Sequence, residues 1–164
     1  MRVVLVLAFG LLIPAAASVG QTLGAKLPPV QHVSVVASTS TPDLPVDGHV
    51  VLMVDVTPKP GVHVYAAGAS ELTPVAIVMT PATGLRFGKA KYPAPGTPPA
   101  LTAAPDPAPA YYAPFRIEQR MSMVKGARPG KSVTVSGALN YQACDAKTCY
   151  PATSLPITWT LNVR

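Results

Sequence analysis

Two cysteines five positions apart, Cys144 and Cys149, constrain this chain most strongly, because they are its only cysteines and lie between two strand-like segments. Both segments alternate apolar and polar residues, and their apolar positions are Val133, Val135, Leu139 and Tyr141 before the pair and Leu155, Ile157, Trp159, Leu161 and Val163 after it. Such alternation predicts two antiparallel strands joined by a short connection that carries both thiols. If the cysteines face each other across a non-hydrogen-bonded pair, their Cβ atoms lie about 4.5 Å apart, close to the roughly 3.8 Å of a disulfide.

A disulfide at this spacing has two interpretations. Closing so short a loop removes little entropy from the unfolded chain, so the bond stabilises the fold by roughly 2 kcal/mol, against about 3 kcal/mol for a fifteen-residue loop. A domain with this much strand pattern should not need such a contribution, which leaves room for a reversible redox role. The alternative is an inert cross-link of the hairpin.

Short strands separated by turns account for most of the remaining chain. The clearest strand runs from His49 to Val56, where Val50, Leu52, Val54 and Val56 share one face. We predict further strands from residue 33 and at 62–66, 75–79, 85–88 and 115–124, and turns at 42–48 and 58–61. Twenty prolines oppose long helices, since an interior proline costs about 3 kcal/mol. The chain is therefore expected to be all-β, an immunoglobulin-like β-sandwich of about seven or eight strands with Trp159 in its core.

The N-terminus has the pattern of an export signal. A short basic start is followed by an apolar run from Val3 to Ile13, too short to span a bilayer, and by small residues from Pro14 to Ala17. We expect a signal peptide over 1–17, a flexible lead-in over 18–30 and one domain over 31–164. No later apolar stretch reaches the length of a transmembrane helix, so the mature chain is expected to be exported, soluble and not membrane-spanning. An oxidising compartment such as the periplasm allows a cysteine pair to persist as a disulfide.

Residues 93–114 form a proline-rich segment with eight prolines. Because proline cannot donate a regular ladder of hydrogen bonds, we predict a loop that is partly extended in polyproline II geometry. Long loops in compact domains are usually functional or disordered. Tyr111, Tyr112 and Phe115 at its end fit either a functional cover or a plug at the rim of the core, and Phe115 also begins the strand that follows.

Composition disfavours several other functions. The formal charge of +6 is spread over scattered lysines and arginines without a dense run, which favours a solvated surface over a nucleic-acid-binding one. A blue-copper site needs a cysteine with two histidines and usually a methionine around one loop, yet no histidine or methionine follows either cysteine. We therefore expect no metal and no cofactor. The chain also has no nucleophile elbow, which disfavours a hydrolase.

Two motifs in order resemble a known family. Tyr141–Cys144, four intervening residues and then Cys149–Pro151 form the first motif, and Gly61–Tyr65 upstream forms the second. Together they resemble the N-terminal periplasmic domain of the thiol:disulfide interchange protein DsbD, over roughly residues 30–164. The resemblance implies an immunoglobulin-like fold and a redox-active cysteine pair. Full-length members continue into a membrane domain and a C-terminal thioredoxin-like domain, so this chain looks like the first domain standing alone.

The resemblance also implies roles for individual residues. Cys149 corresponds to the cysteine that forms mixed disulfides with partners, and Cys144 to the resolving cysteine. The family's active-site strand corresponds to the segment with His63, which could tune a thiolate through a hydrogen bond or a nearby charge. The expected environment of the two cysteines consists of His63, Tyr65, Tyr141, Asp145 and Tyr150. An aromatic cap loop shields the cysteines in the family, which implies that role for Tyr111, Tyr112 and Phe115.

The function expected from this resemblance is thiol–disulfide exchange between partner proteins. The chain would relay reducing equivalents from a membrane electron transporter or a thioredoxin-like periplasmic protein to client disulfide proteins, as in cytochrome c biogenesis, and would not bind nucleic acid. A protein-disulfide reductase of this kind works through mixed disulfides. The alternative of a different class is a non-enzymatic exported β-sandwich that binds a partner and carries a purely structural disulfide.

Overall fold

The computed structural model describes residues 31–69, 72–97, 108–125, 130 and 132–164. The predicted signal peptide and lead-in, residues 1–30, lie outside this part of the chain, as do residues 98–107 of the proline-rich segment. Over the described ranges all regular secondary structure is β-strand. The prediction of an all-β protein is therefore confirmed.

Eleven strands follow one another along the described chain. They are β1 (Val33–Thr39), β2 (Asp43–Leu44), β3 (His49–Pro58), β4 (His63–Tyr65), β5 (Ala76–Met79), β6 (Leu85–Lys91), β7 (Ala110–Tyr111), β8 (Phe115–Met123), β9 (Ser132–Tyr141), β10 (Ala143–Cys144) and β11 (Thr153–Val163). Seven of them have four residues or more, in agreement with the seven or eight predicted. The other four have two or three residues.

Two of the short strands lie where the sequence pattern predicts only a turn or a loop. The turn predicted over 42–48 contains β2, which pairs in parallel with the end of β11. The loop predicted over 93–114 contains β7, which pairs with β4. Each pairing joins segments more than 40 residues apart, so no local alternation of residues could indicate it.

Two four-stranded sheets pack as a β-sandwich. The first has the strand order β1-β3-β8-β6 and the second β2-β11-β9-β5. Apart from the parallel pair of β2 with β11, neighbouring strands in both sheets are antiparallel. The predicted pair of strands around the cysteines is β9 and β11, which run antiparallel from the Tyr141–Thr153 pair to the Asn162–Ser132 pair.

The core lies between these sheets and follows the predicted faces. Val50, Leu52, Val54 and Val56 of β3 are each at most 1% exposed, and full burial of such a side chain contributes about 1.5 to 3 kcal/mol. Trp159 is 3% exposed, and its indole N–H donates a hydrogen bond to the Met53 carbonyl at 3.2 Å, from the second sheet to the first. The prediction that Trp159 is a core residue is confirmed.

Candidate functional site

A third, small sheet with the order β10-β4-β7 carries the candidate site. The turn predicted at 58–61 leads into β4: the Val62 N–H donates to the Lys59 carbonyl at 3.0 Å, and Gly61 takes a left-handed φ of 76°. A glycine allows this conformation without a steric cost. The turn therefore delivers His63 and Tyr65 into the sheet beside the cysteine connection.

The small sheet has one face toward the sandwich core and one toward the cysteines, because side chains alternate along each strand. In register, Val64 lies opposite Ala143 and Tyr111, and these three side chains belong to the main core. Cys144 lies opposite His63, and Tyr65 lies opposite Ala110. The side chains of Tyr65, Ala69, Ala110 and Cys144 form a separate small cluster, against which Tyr112 packs.

Cys144 and Cys149 face each other in the way the sequence predicts. Their Cα atoms are 4.0 Å apart and their sulfurs are bonded at 2.00 Å. Hydrogen bonds on both sides of the pair join the two segments, from the Tyr150 N–H to the Ala143 carbonyl and from the Asp145 N–H to the Thr148 carbonyl, both at 2.9 Å. This pattern defines a non-hydrogen-bonded antiparallel pair, the arrangement that brings opposed side chains closest.

The two cysteines differ in exposure. Cys144 is 1% exposed and lies within the small cluster, whereas Cys149 is exposed to solvent. The Cys149 sulfur lies 3.9 Å from the Tyr65 hydroxyl. Thiol–disulfide exchange requires an attacking sulfur to reach its target, and of the two cysteines only Cys149 is exposed to such an attack.

His63, Tyr65 and Tyr112 lie beside the disulfide. The His63 Nε2 is 3.3 Å from the Tyr65 hydroxyl, and the Tyr65 hydroxyl continues this contact to the Cys149 sulfur. The rings of His63 and Tyr112 are 5.1 Å apart, and those of His63 and Tyr65 pack edge to face at 5.2 Å. Continuing the β4–β7 register by one residue puts Tyr112 opposite His63, so Cys149, Cys144, His63 and Tyr112 form one row across neighbouring segments.

Asp145 organises the connection between the cysteines. Its Oδ1 accepts hydrogen bonds from the Lys147 and Thr148 N–H groups, both at 2.8 Å, and its Oδ2 accepts one from the Tyr150 hydroxyl. The Tyr150 hydrogen bond, followed by the two N–H groups, holds the pKa of Asp145 below its usual value, and the same bond raises the pKa of Tyr150. The His32 ring stacks on Tyr150 with centroids 3.7 Å apart.

Gln142 is a site residue that the sequence analysis missed. Its side-chain oxygen accepts a hydrogen bond from the Thr73 N–H at 3.0 Å, and its amide nitrogen donates to the Tyr150 carbonyl at 3.1 Å. Gln142 thus ties both the segment before β5 and the segment after Cys149 to the start of β10. The only signal in the sequence is its place within the motif Tyr141–Cys144, because Thr73 is 69 residues away.

Tyr141 lies in the main core and not in the cysteine cluster. It is 1% exposed, and its hydroxyl accepts a hydrogen bond from the His32 N–H at 3.4 Å. Burial raises the pKa of Tyr141. Tyr141 therefore lies on the core side of the site, where its hydroxyl holds the segment that carries His32.

The three aromatic residues predicted as a cap lie in two different places. Tyr111 is 4% exposed, and its ring stacks on Phe115 with centroids 4.0 Å apart, within the main core. The Tyr111 hydroxyl donates to the Pro93 carbonyl at 2.9 Å, and burial raises its pKa. Of the three, Tyr112 alone packs against the cluster that contains Cys144. Consecutive residues of a strand face opposite sides of the sheet. Once β7 is known to be a strand, alternation therefore predicts that Tyr111 and Tyr112 lie on opposite faces.

A metal centre or a membrane-spanning helix would each leave a signature in the described part of the chain. No three His, Cys, Asp or Glu side chains in these ranges are grouped so that they could hold a metal ion. Nor does any helix in the same ranges have the length and hydropathy to cross a membrane.

Fold and site together define an all-β sandwich with an exposed, strand-bridging disulfide at the edge of a small sheet. No protein-family model matches the chain, and no curated protein matches it. A similar solved structure is the N-terminal periplasmic domain of ScsB from Proteus mirabilis, with 15% sequence identity and a TM-score of 0.49. The similarity covers 82% of this chain and 48% of that one, so the chain spans about half the length of that structure.

Proposed function

We propose that this chain is an exported, periplasmic thiol–disulfide exchange domain that passes electron pairs between partner proteins through a reversible Cys144–Cys149 disulfide. The observation that supports this most strongly is the difference between the two cysteines, one exposed and one 1% exposed. A purely structural cross-link has no need of an exposed sulfur, whereas exchange needs one sulfur that a partner can reach and a second that stays protected.

Reduction of the domain begins at Cys149. A donor thiolate attacks the Cys149 sulfur, forms a donor–Cys149 disulfide and releases Cys144 as a thiolate, which takes up a proton. A second donor thiolate then attacks the donor sulfur of this mixed disulfide. The donor leaves as a disulfide, and both cysteines of the domain are then thiols.

Electron transfer to a client reverses these roles. The Cys149 thiolate attacks a client disulfide and forms a mixed disulfide, and one client sulfur leaves as a thiolate. Cys144 then attacks the Cys149 sulfur, re-forms the Cys144–Cys149 bond and releases the client with both sulfurs reduced. The opposed, non-hydrogen-bonded arrangement favours this second step because it holds the Cys144 sulfur next to its target.

The neighbours of Cys149 have distinct proposed roles. The Tyr65 hydroxyl, 3.9 Å from the sulfur, donates a hydrogen bond to the Cys149 thiolate, and His63 orients that hydroxyl from 3.3 Å. A hydrogen bond to the thiolate lowers the pKa of the thiol and raises the fraction that can attack. Tyr112 covers the cysteine side of the small sheet until a partner displaces it.

Single cysteine variants test the proposal. Cys144→Ser should form a stable mixed disulfide with glutathione through Cys149, because the resolving thiol is absent. Cys149→Ser should react slower by about tenfold or more, because its remaining thiol is buried. Intact-mass spectrometry over time measures both rates, circular dichroism checks that each variant is folded, and Cys144→Ser with Cys149→Ser is the unreactive control. Equal rates for the two single variants would contradict the assigned roles.

The rival function is a partner-binding sandwich with a structural disulfide, and the redox potential separates the two. Equilibration of the domain with glutathione buffers of defined ratio gives this potential. A value above about −300 mV supports exchange, whereas a value below it assigns the disulfide a structural role.

A further inference from the structure

Charged side chains are distributed unequally over the two outer faces of the sandwich. The strands β9 and β11, at the centre of the second sheet, contain no charged residue. In the first sheet, the outward positions of β6 and β8 carry five cations and one carboxylate. We call these outward positions the basic face, and they are Arg86, Gly88, Lys89, Lys91, Arg116, Glu118, Arg120 and Ser122.

A bulge in β6 places both of its lysines on the basic face. Side chains alternate along a strand, so in a regular strand Lys89 would point inward like Phe87. The register with β8 shifts between Phe87 and Ala90, where three steps along β6 match two along β8. After this shift Ala90 packs against the core, so Lys89 and Lys91 on either side of it face outward.

Gln119 holds the bulge from the core side. Its side chain is 8% exposed, and its amide nitrogen donates a hydrogen bond to the Gly88 carbonyl at 2.9 Å. On the outer side Gly88 lies against Arg120, since a Cβ at Gly88 would be 3.6 Å from the Arg120 Cβ. The bulge therefore sets Lys89 opposite Arg120 on the surface. Like charges at opposed positions destabilise a sheet, and an anion bound to both side chains would remove this cost.

The protein itself supplies few counter-charges to the basic face. Asp55 of β3 pairs with Arg116 through two hydrogen bonds, at 2.7 and 2.9 Å. Glu118 is the only carboxylate of the basic face and lies opposite Lys91 in register. Within the described residues, the four cations of the face other than Arg116 form no ion pair. The basic face therefore keeps a net positive charge.

We propose that the basic face binds the surface of a membrane that contains anionic phospholipids, with the lipid phosphates as its counter-charges. This inference goes beyond the proposed exchange function. The face has no apolar side chain at its outward positions, so it lacks the anchors that dominate binding between proteins. Its cations extend over two neighbouring strands, which suits a plane of headgroups. Each lysine or arginine near such a surface strengthens binding by roughly fivefold.

Vesicle binding tests the proposal. The purified protein is sedimented with vesicles of equal parts phosphatidylcholine and phosphatidylglycerol, and with vesicles of phosphatidylcholine alone. Labelled polyglutamate, followed by fluorescence anisotropy, represents an acidic protein partner. We expect binding to the anionic vesicles and none to phosphatidylcholine. Binding should weaken as the salt concentration rises from about 0.01 M to about 0.15 M, because the Debye length falls from about 30 Å to about 8 Å.

Paired variants separate the basic face from the overall charge. Lys89→Gln with Arg120→Gln removes two cations from the face, whereas Lys59→Gln with Lys125→Gln removes two exposed cations outside it. The first pair should weaken binding to the anionic vesicles by about tenfold or more, and the second by less than about threefold. The Tm of the first pair should not fall, because the substitutions remove opposed like charges. Equal losses from the two pairs, or binding to polyglutamate without binding to the anionic vesicles, would overturn the proposal.

Discussion

Asp145 holds the connection between the cysteines through three hydrogen bonds. Substitutions of Asp145 therefore test whether these hydrogen bonds control the equilibrium between the disulfide and the two thiols. With Asp145→Ala all three bonds are lost, so the two reduced sulfurs are held together less well and the disulfide becomes easier to reduce. With Asp145→Asn the amide oxygen still accepts from the Lys147 and Thr148 N–H groups, as in other Asx turns.

The glutathione equilibrium constant of the two variants measures this effect. We expect Asp145→Ala to shift it several-fold toward the reduced form and Asp145→Asn to shift it much less. Equal shifts would mean that the charge of Asp145, and not its hydrogen-bonding geometry, controls the disulfide.

The same carboxylate predicts a pH dependence of the connection. Its pKa is held below the usual 3.8, mainly by the Tyr150 hydroxyl and then by the Lys147 and Thr148 N–H groups. A lowered pKa means that the ionised form stabilises the folded connection fully above pH 3.8, and that this stabilisation is lost as the pH falls through the lowered value. Amide chemical shifts of Lys147 and Thr148 should therefore stay constant from neutral pH down to 3.8 and change only in more acidic solution. In Asp145→Asn this acid transition should be absent.

Among the strands, β7 determines where the tyrosines at the end of the proline-rich segment lie. The strand is only two residues long, yet its pairing with β4 turns Tyr111 into the core and leaves Tyr112 beside His63. A ring in the core contributes to stability, whereas we expect a ring that packs against the cysteine cluster to protect it from oxidants. The pairing of β7 with β4 thus places the two consecutive tyrosines in different surroundings.

The matched variants Tyr111→Ala and Tyr112→Ala separate these roles. Tyr111→Ala removes a buried ring stacked on Phe115. We therefore expect the free energy of unfolding to fall by about 3 to 5 kcal/mol and Tm to fall by roughly 10 °C or more. Tyr112→Ala should leave Tm within a few degrees of the parent and increase the rate at which hydrogen peroxide oxidises the reduced domain. Thermal unfolding and oxidation kinetics give both values. If Tyr112→Ala leaves the oxidation rate unchanged, this tyrosine does not cover the thiols.

At the scale of the whole molecule, the disulfide lies outside the strands that build the core of the sandwich. The core between the two large sheets is built from strands outside the cysteine connection, with Leu44, Val54, Val56, Ile117, Val135 and Leu139 fully buried. The disulfide closes a loop of only five positions, which limits its stabilisation to about 2 kcal/mol on the loop-closure estimate.

Reduction should therefore leave a folded domain. Dithiothreitol should lower the free energy of unfolding by about 2 kcal/mol or less and leave the far-UV circular dichroism spectrum unchanged. Denaturant unfolding with and without reductant measures the difference, and the variant with both cysteines replaced by serine controls for effects of the reductant. A reduced domain without β-structure would identify the disulfide as a structural requirement.

The sequence by itself determined the class of fold, the long strands and the facing of the cysteines. These features depend on neighbours in the chain: side chains alternate with a period of two, so the apolar positions of β3, β9 and β11 identify their buried faces. A short connection between the antiparallel strands β9 and β11 then brings Cys144 opposite Cys149.

Only the tertiary structure decided which cysteine is exposed and which side chains surround the pair. Tyr65 meets Ala110 across 45 residues, and Gln142 meets Thr73 across 69, by pairing at sheet edges that no local pattern specifies. The burial of Cys144 depends on these distant segments, since Tyr65 and Ala110 enclose it, whereas Cys149 lies on the outer segment that no described strand covers. Long-range pairing thus gave the two cysteines different surroundings, which the alternation of residues around them does not specify.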